Sequence, residues 1–557
     1  MATFDAAQEP QAGGPRKKKI RTTKDVNGVP QEVEIEVDDV AGPTWGDRKT
    51  HTLVNTELRR IDAPVKVTGR ARYTHDVRLP GMVFGRVFCA PWPQGTVKVD
   101  TRAAQQLAGV EAVIVLKEKI GFLGDPLVAV AARTPELADD ALRALKVELT
   151  AAPFVLDRTQ ALADGAAKVR KGGNRSEPKT NGKRADVEAA LANAASVVEA
   201  SYSVPVQHHA SLETHGVVVD YRGGDEATIY ASTQSTFSIA DDAASILGIP
   251  ENRITAIVEH MGGGFGAKFG LHVSGAAACR LAKELKKPVH LLLTRSDEFL
   301  TGGNRSGRDT QMKGGIAADG TLVGLITEQQ VFGGVGNGSG TAQPYIYKFQ
   351  KSFSSGTSIY THLDSSVAMR APGHPQASFA MESLLDELAY AQGLDLLDVR
   401  KKNVPNPAWV RQLERVAREI GWYEHPHRTK PGLADGGLAT GIGFGIATWG
   451  GGGGPECEVD VVVKRDGSVS ASVGSQDLGT GTRTYIAAIV AEELGLALDA
   501  VHVAIGDSRL GRANGSGGST TTSSLAPAVK HAAFQVREKL AAHLAPLLKS
   551  APELLRF

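Results

Sequence analysis

A chain of 557 residues is long enough for three or four domains, each with a core of its own. Its 62 Lys and Arg against 61 Asp and Glu leave no net charge with which to hold nucleic acid or an anionic membrane, and neither is expected as a partner. No apolar run approaches the ~18 residues of a spanning helix, and none follows the basic cluster at 16–19, which predicts a soluble, cytoplasmic protein; periplasmic export with a signal-bearing partner stays open.

In chain order, residues 1–50 read as an irregular arm. Over 51–158, β-rich runs such as "GMVFGRVFCA" and "VEAVIVL" alternate with helical ones such as "PELADDALRALKVEL", which predicts a compact α+β unit. The polar stretch 159–185 reads as a linker. Two related α+β units are predicted beyond it, 186–404 and 405–557. In the first, "ATIYAST" reads as a strand, "QSTFSIADDAASI" as a helix, Gly248 as its stop, "ITAIVEH" as a second strand, and "MGGGFGAK" as the loop after it. In the second, "SVSASVGS", "TRTYIAAIVAEE", Gly495, "VHVAIGD" and "SRLGRANGSGGSTTTSS" repeat that order. In both copies the Leu before the stopping glycine stands seven residues ahead of the next strand (Leu247 to Ile254, Leu494 to Val501). A cleft between the halves is then lined by two glycine-rich loops.

Glycines there permit positive φ and bring main-chain N–H groups close to a ligand. The helix predicted from "LHVSGAAACRLAKEL" follows the first loop, and its N-terminus would favour a phosphate. Gly262, Gly264 and Ala267 also satisfy G-x-G-x-x-A, with Glu284 where a ribose-binding acid is expected, so an NAD-dependent dehydrogenase is an alternative. A tight turn that binds nothing is the plainer reading. Cys89, Cys279 and Cys457 lie too far apart for C-x-x-C spacing, so the chain is not expected to hold an iron–sulfur cluster or a thiolate-bound zinc. His208, His209 and His215 share no reliable face for a metal.

With "RRIDAPVKVTGRARYTHDVRLPGM", "HHASLETHG", "ASTQSTF", "MGGGFGAK", "MRAPGHPQASFAMESLLDELA" and "GSQDLGTGTRTYIAAIVAEELGL" in this order, the chain from about residue 57 onward resembles the large molybdopterin-binding subunit of the xanthine oxidase and aldehyde oxidoreductase family. The resemblance implies an α/β-hammerhead domain over 51–158 followed by two molybdopterin-binding domains, the second incomplete. It places Gln234 beside the metal's apical oxo group, and Phe265 and Gly266 next to the metal, within the loop Gly263, Gly264, Phe265, Gly266. Arg370, Gly517, Gly518 and Ser519 complete the surroundings, while Gly479, Thr480 and Gly481 hold the pterin and its phosphate. No direct protein ligand to the metal is implied, because the pterin's sulfurs hold it. Taken alone, Gln234 is a buried polar residue at a strand end, Arg370 is a turn residue paired with a carboxylate such as Glu382, and Trp449 is either part of a substrate funnel or a core aromatic.

The implied activity is hydroxylation of an electrophilic carbon by water, with two electrons leaving through iron–sulfur and FAD partner subunits. Phe269 stands where purine-oxidising members carry a glutamate, "GSGTAQPYIYKF" lacks their arginine, and "MRAPG" lacks the cysteine of carbon monoxide dehydrogenases. An aldehyde, aromatic by preference, is therefore the expected substrate. The family's general-base glutamate is not found: Glu553 lacks its glycine context. A C-terminally truncated chain is expected, completed by a separate polypeptide or else surviving as a non-catalytic scaffold. The mononucleotide or cytosine dinucleotide form of the cofactor stays open.

Overall fold

The computed structural model describes residues 17–26, 29–38, 43–338, 343–429, 433–435, 437–454 and 457–557; residues 339–342 of "GSGTAQPYIYKF" lie outside them. Seven strands make the largest sheet: β1 (Val83–Cys89), β2 (Val110–Val115), β3 (Pro126–Ala132), β4 (Gly216–Asp220), β5 (Ala227–Ala231), β6 (Ile254–Ile257) and β7 (Val289–Leu292). Side by side they run β6-β5-β4-β7-β1-β3-β2. β3 is buried throughout, as its uninterrupted "PLVAVAA" requires of a strand covered on both faces. β1 pairs in parallel with β7, Val83 opposite Val289. The expected 51–158 unit is therefore not self-contained: its apolar sheet edge is completed by a strand some 200 residues on.

The strand–helix–glycine–strand order predicted for both halves is present. β5 leads through α1 (Ser238–Leu247) to β6, and the loop after β6 leads to α2 (His272–Leu285). Gly248 ends α1 at φ 79°, the left-handed cap that a side chain resists. A second sheet, Ser196–Val204, Gly307–Ile316, Leu322–Phe332, Lys351–Ile359 and Lys179–Asn181, lies under α3 (His374–Ala391), whose Leu384, Leu385 and Leu388 are fully buried. In the second half β8 (Val469–Val473) leads through α4 (Thr482–Leu494) and Gly495, at φ 65°, to β9 (Val501–Ile505) and then to α5 (Thr521–Leu548). β8 and β9 are parallel, as β5 and β6 are. The halves join where these strands end: Val258 N donates to Gly506 O (2.7 Å) and Ser508 N to Ala256 O (3.0 Å). Both glycine loops leave from this seam.

Two further expectations are corrected. The arm at 1–50 contains a hairpin, Lys17–Val26 against Val29–Asp38, with Lys19 paired to Glu34 across the strands at 3.2 Å; alternating opposite charges favour such a ladder. The linker at 159–185 is packed. Its buried Asn174 accepts from Val169 N (2.7 Å) and donates to Ala161 O (3.0 Å) and Ala167 O (2.9 Å), and residues 179–181 add a strand to the second sheet. Polar composition marked a surface segment, but one buried amide side chain is enough to fix it.

Candidate functional site

The loop after β6 turns through positive φ at Gly263 (93°), Phe265 (54°) and Gly266 (112°). A Cβ on Gly264 would stand 2.5 Å from Gln234 Oε1, and one on Gly266 would stand 2.3 Å from Ala368 O, so both glycines are bare because neighbours fill the space. Of those neighbours Gln234 is a predicted site residue, and Ala368 stands two residues before another, Arg370.

Gln234, three residues past the end of β5 and buried, joins the halves. Its Oε1 accepts from Gly266 N (2.7 Å) and Lys268 N (3.3 Å), and its Nε2 donates to Ser516 O (2.8 Å). Its main chain donates to Lys268 O (2.6 Å) and accepts from Ser516 N (2.7 Å). A primary amide, donor and acceptor at one tip, is the side chain that can serve both loops. Arg370 N donates to Phe265 O (2.7 Å), so the "MRAPG" turn lies on the same loop, and Arg370 itself is exposed. The alternative pairing of Arg370 with Glu382 fails: Glu382 is on the buried face of α3, accepting from Tyr347 (2.7 Å) and Arg400 (2.8 Å).

On the second loop Gly518 (φ 64°) and Ser519 (φ 60°) follow Gly517, against which Phe269 rests; a Cβ there would meet its ring at 3.0 Å. Sequence reasoning missed Gln476, which donates to Ser516 Oγ (2.5 Å) and accepts from Thr236 N (3.2 Å) and Oγ1 (3.0 Å). The repeat held the signal: Gln476 follows the end of β8 by the offset at which Gln234 follows β5 (473 to 476, 231 to 234).

At 479–481 the Asp477 carboxylate already accepts from the N–H groups of Gly479 (2.8 Å), Gly481 (3.3 Å) and Thr482 (3.0 Å). The glycine amides expected to hold a phosphate are thus engaged. Arg60, also missed, donates to Gly479 O (2.7 Å) and is itself gripped by Asp62 (3.1 and 2.9 Å). A cavity of about 360 Å³ opens beside it, lined by Trp45, Leu53, Arg60, Thr480, Gly481 and Tyr485. At the N-terminus of α2, Asp242 accepts from Leu271 N (2.8 Å), so that amide too is engaged.

The dinucleotide alternative is overturned by topology. The loop leaves the edge strand of a mixed sheet, whereas a dinucleotide fingerprint follows a central strand of a parallel one. The histidines point to separate partners: His209 to Ala368 O (2.7 Å), and His215 to Glu298 (3.0 Å) and Ala267 O (3.0 Å). Glu553 lies past the C-terminal end of α5, whose N-terminal end is the one that follows the second glycine loop. Trp449 stands edge-on to His374 (centroids 4.8 Å), while the glycines after it run along the start of α5, Gly454 N donating to Ser524 Oγ (2.7 Å).

A molybdopterin fits this cleft. A Cβ on Gly479 would meet nothing within 4 Å, one on Gly481 only Arg60 Nε at 3.9 Å, and one on Gly518 only Thr520 at 3.7 Å, so side chains there would fill space that the bare main chain keeps open. Arg483 Nη1 is buried with no hydrogen-bond partner, a donor ready for an acceptor-rich ring or phosphate. The arrangement defines a class: two repeated α+β halves whose glycine loops line one cleft with a buried, unpartnered donor, and no cluster of three metal-ligating side chains among the described residues. Molybdopterin cofactor-binding domain models match residues 171–404 and 415–557, and the chain belongs to that family, the molybdenum-binding subunits of molybdenum hydroxylases. It is 29% identical over 547 residues to a probable xanthine dehydrogenase subunit of Bacillus subtilis (strain 168), covering 90% of this chain and 72% of that one. The aldehyde oxidoreductase molybdenum-binding subunit PaoC of Escherichia coli (strain K12) is 27% identical over 525 residues, covering 86% and 69%. Quinoline 2-oxidoreductase from Pseudomonas putida 86 shares the fold, with a TM-score of 0.80 at 21% identity over 90% of this chain and 73% of that one.

Proposed function

We propose that the chain is the molybdenum-cofactor subunit of a heteromeric enzyme that oxidises an aldehyde, aromatic by preference, to the carboxylic acid, handing electrons to iron–sulfur and FAD subunits. The observation that carries this reading is Gln234, which ties the glycine loops of both halves into one cleft. Phe265, Phe269 and Trp449, 43%, 44% and 39% exposed, support an aromatic substrate, because they offer apolar faces where a purine would need a charged partner. Bound in the cleft, the cofactor supplies the two-electron redox centre and an activated water. The chain's part is to hold and orient. Gln234 fixes the main chain of Gly266 beside Phe265, Arg60 and Asp477 shape the 479–481 loop, and Arg483 offers its free N–H to the cofactor.

Produced with iron–sulfur and FAD subunits and with a separate polypeptide that supplies the family's general-base glutamate, in a host that makes the cofactor, the chain is expected to carry about one molybdenum each and the assembled set to oxidise benzaldehyde with ferricyanide as acceptor, at least ~10-fold faster than xanthine. Molybdenum without benzaldehyde turnover would support the scaffold alternative. Xanthine as the better substrate would overturn the aldehyde assignment.

A further inference from the structure

The first glycine loop ends on a buried cation. Lys268 is 1% exposed, and its ammonium donates to two neutral oxygens, Glu213 O (2.6 Å) and Ser232 Oγ (2.8 Å), with the Glu213 and Glu298 carboxylates near enough to favour its charge. Taking a cation out of water for such partners is unfavourable, and burial lowers the group to about 8.

The rest of Lys268 is equally engaged. Its N–H donates to Gln234 Oε1 (3.3 Å), and its carbonyl accepts from Gln234 N (2.6 Å) and Thr233 Oγ1 (3.1 Å). Ser232, at the other end of the same turn, donates to Glu213 Oε2 (2.9 Å), which also accepts from Gly262 N (2.8 Å) at the start of the glycine loop. One side chain therefore closes a ring: the end of the loop, the 232–234 turn, Glu213, and back to the loop's first glycine.

We propose that Lys268 is the positioning residue of the molybdenum site: its buried ammonium locks the 232–234 turn against both ends of the glycine loop, and so sets where Gln234 and the Phe265–Gly266 main chain stand relative to the cofactor. This rests on the reading of the loop as the cofactor's cradle. The lock itself is a property of the protein without cofactor.

The test is hydrogen exchange of the full cofactor-free chain, wild type against Lys268→Met, with the molybdenum content and paramagnetic resonance spectrum of the assembled complex as second readouts. The amides of Gly266 and Lys268 are expected to exchange about tenfold faster or more in Lys268→Met while those of β3 are unchanged. The reduced molybdenum signal should shift, and Gln234→Ala combined with Lys268→Met should lose no more molybdenum than Gln234→Ala alone. Unchanged loop exchange, or losses that multiply in the double variant, would overturn the proposal. Should Lys268→Met fail to fold, Ser232→Ala, which removes one of the two ammonium acceptors, must speed the same amides; if it does not, the proposal falls. Absence of benzaldehyde oxidation in the wild type would count against the proposed substrate and leave the exchange result to judge Lys268.

Discussion

Gln234 makes hydrogen bonds to residues on either side of the seam between the halves, so its loss leaves buried N–H and C=O groups of both loops unpaired. Gln234→Ala is expected to retain the fold but lower molybdenum content and turnover by about 10²-fold, measured by metal analysis and benzaldehyde oxidation. Gly266→Ala acts by space and strain: at φ 112° with a Cβ 2.3 Å from Ala368 O, it should cost about 2–4 kcal/mol in a denaturant titration. Beneath the loop sits Glu298. Burial raises its carboxyl, but the hydrogen bonds and charge of His215 outweigh that and hold it at about 2. A lowered carboxyl contributes stability that is complete above its ordinary value near 4.5 and is lost as pH falls toward 2. Between those limits the wild type should lose more stability than Glu298→Gln, read from unfolding midpoints against pH; parallel curves would show that the pair carries no such linkage. At this scale Gln234 and Phe265 are singled out only through the resemblance that "ASTQSTF" and "MGGGFGAK" carry. Gln476 and Arg60 are not: Gln476 shows only once the two halves are aligned, and Arg60 meets Gly479 across 419 residues of chain.

At the scale of elements, α5 carries Pro527 inside its length, so Ser523 O receives no helical hydrogen bond from that position. The glycine strip 450–454 passes over this turn, Ser523 Oγ donating to Gly451 O (3.1 Å), and a Cβ on Gly453 would lie 2.8 Å from Ser523 O. Gly453→Val should therefore lift the strip, free Trp449 from His374 and shift the tryptophan emission to longer wavelength while α5 stays helical by circular dichroism. The elements were the most legible level of the sequence. α1 and α4 lie where periodicity and the Leu-Gly stops put them, since a left-handed cap is a local requirement that glycine meets cheaply, while α2 lies where its apolar stripe puts it and ends on Lys286 at φ 53°. The 159–185 segment was misread because composition reports solvation and says nothing of a single buried amide such as Asn174.

For the whole molecule, the seven-stranded sheet decides how the chain divides. β1 and β3 share a core with Val217, Ile229 and Leu281, so a fragment of residues 51–158 would expose β1's edge and the face that packs against those residues. It should show no cooperative thermal transition in near-ultraviolet circular dichroism, whereas the full chain should; cooperative melting of the fragment would mean the unit is independent after all. No helix among the described residues is long and apolar enough to cross a membrane. The amino-acid sequence by itself determined the two repeated halves and the glycine loops, because helix stops, strand alternation and positive-φ turns are written in a few neighbouring letters. Only the tertiary structure decided that the N-terminal strands complete the first half's sheet, that Asp477 and Asp242 occupy amides expected to bind phosphate, and that one glutamine serves both loops. Those outcomes depend on which groups meet across hundreds of residues, 282 in the case of Gln234 and Ser516, and periodicity carries no record of such meetings.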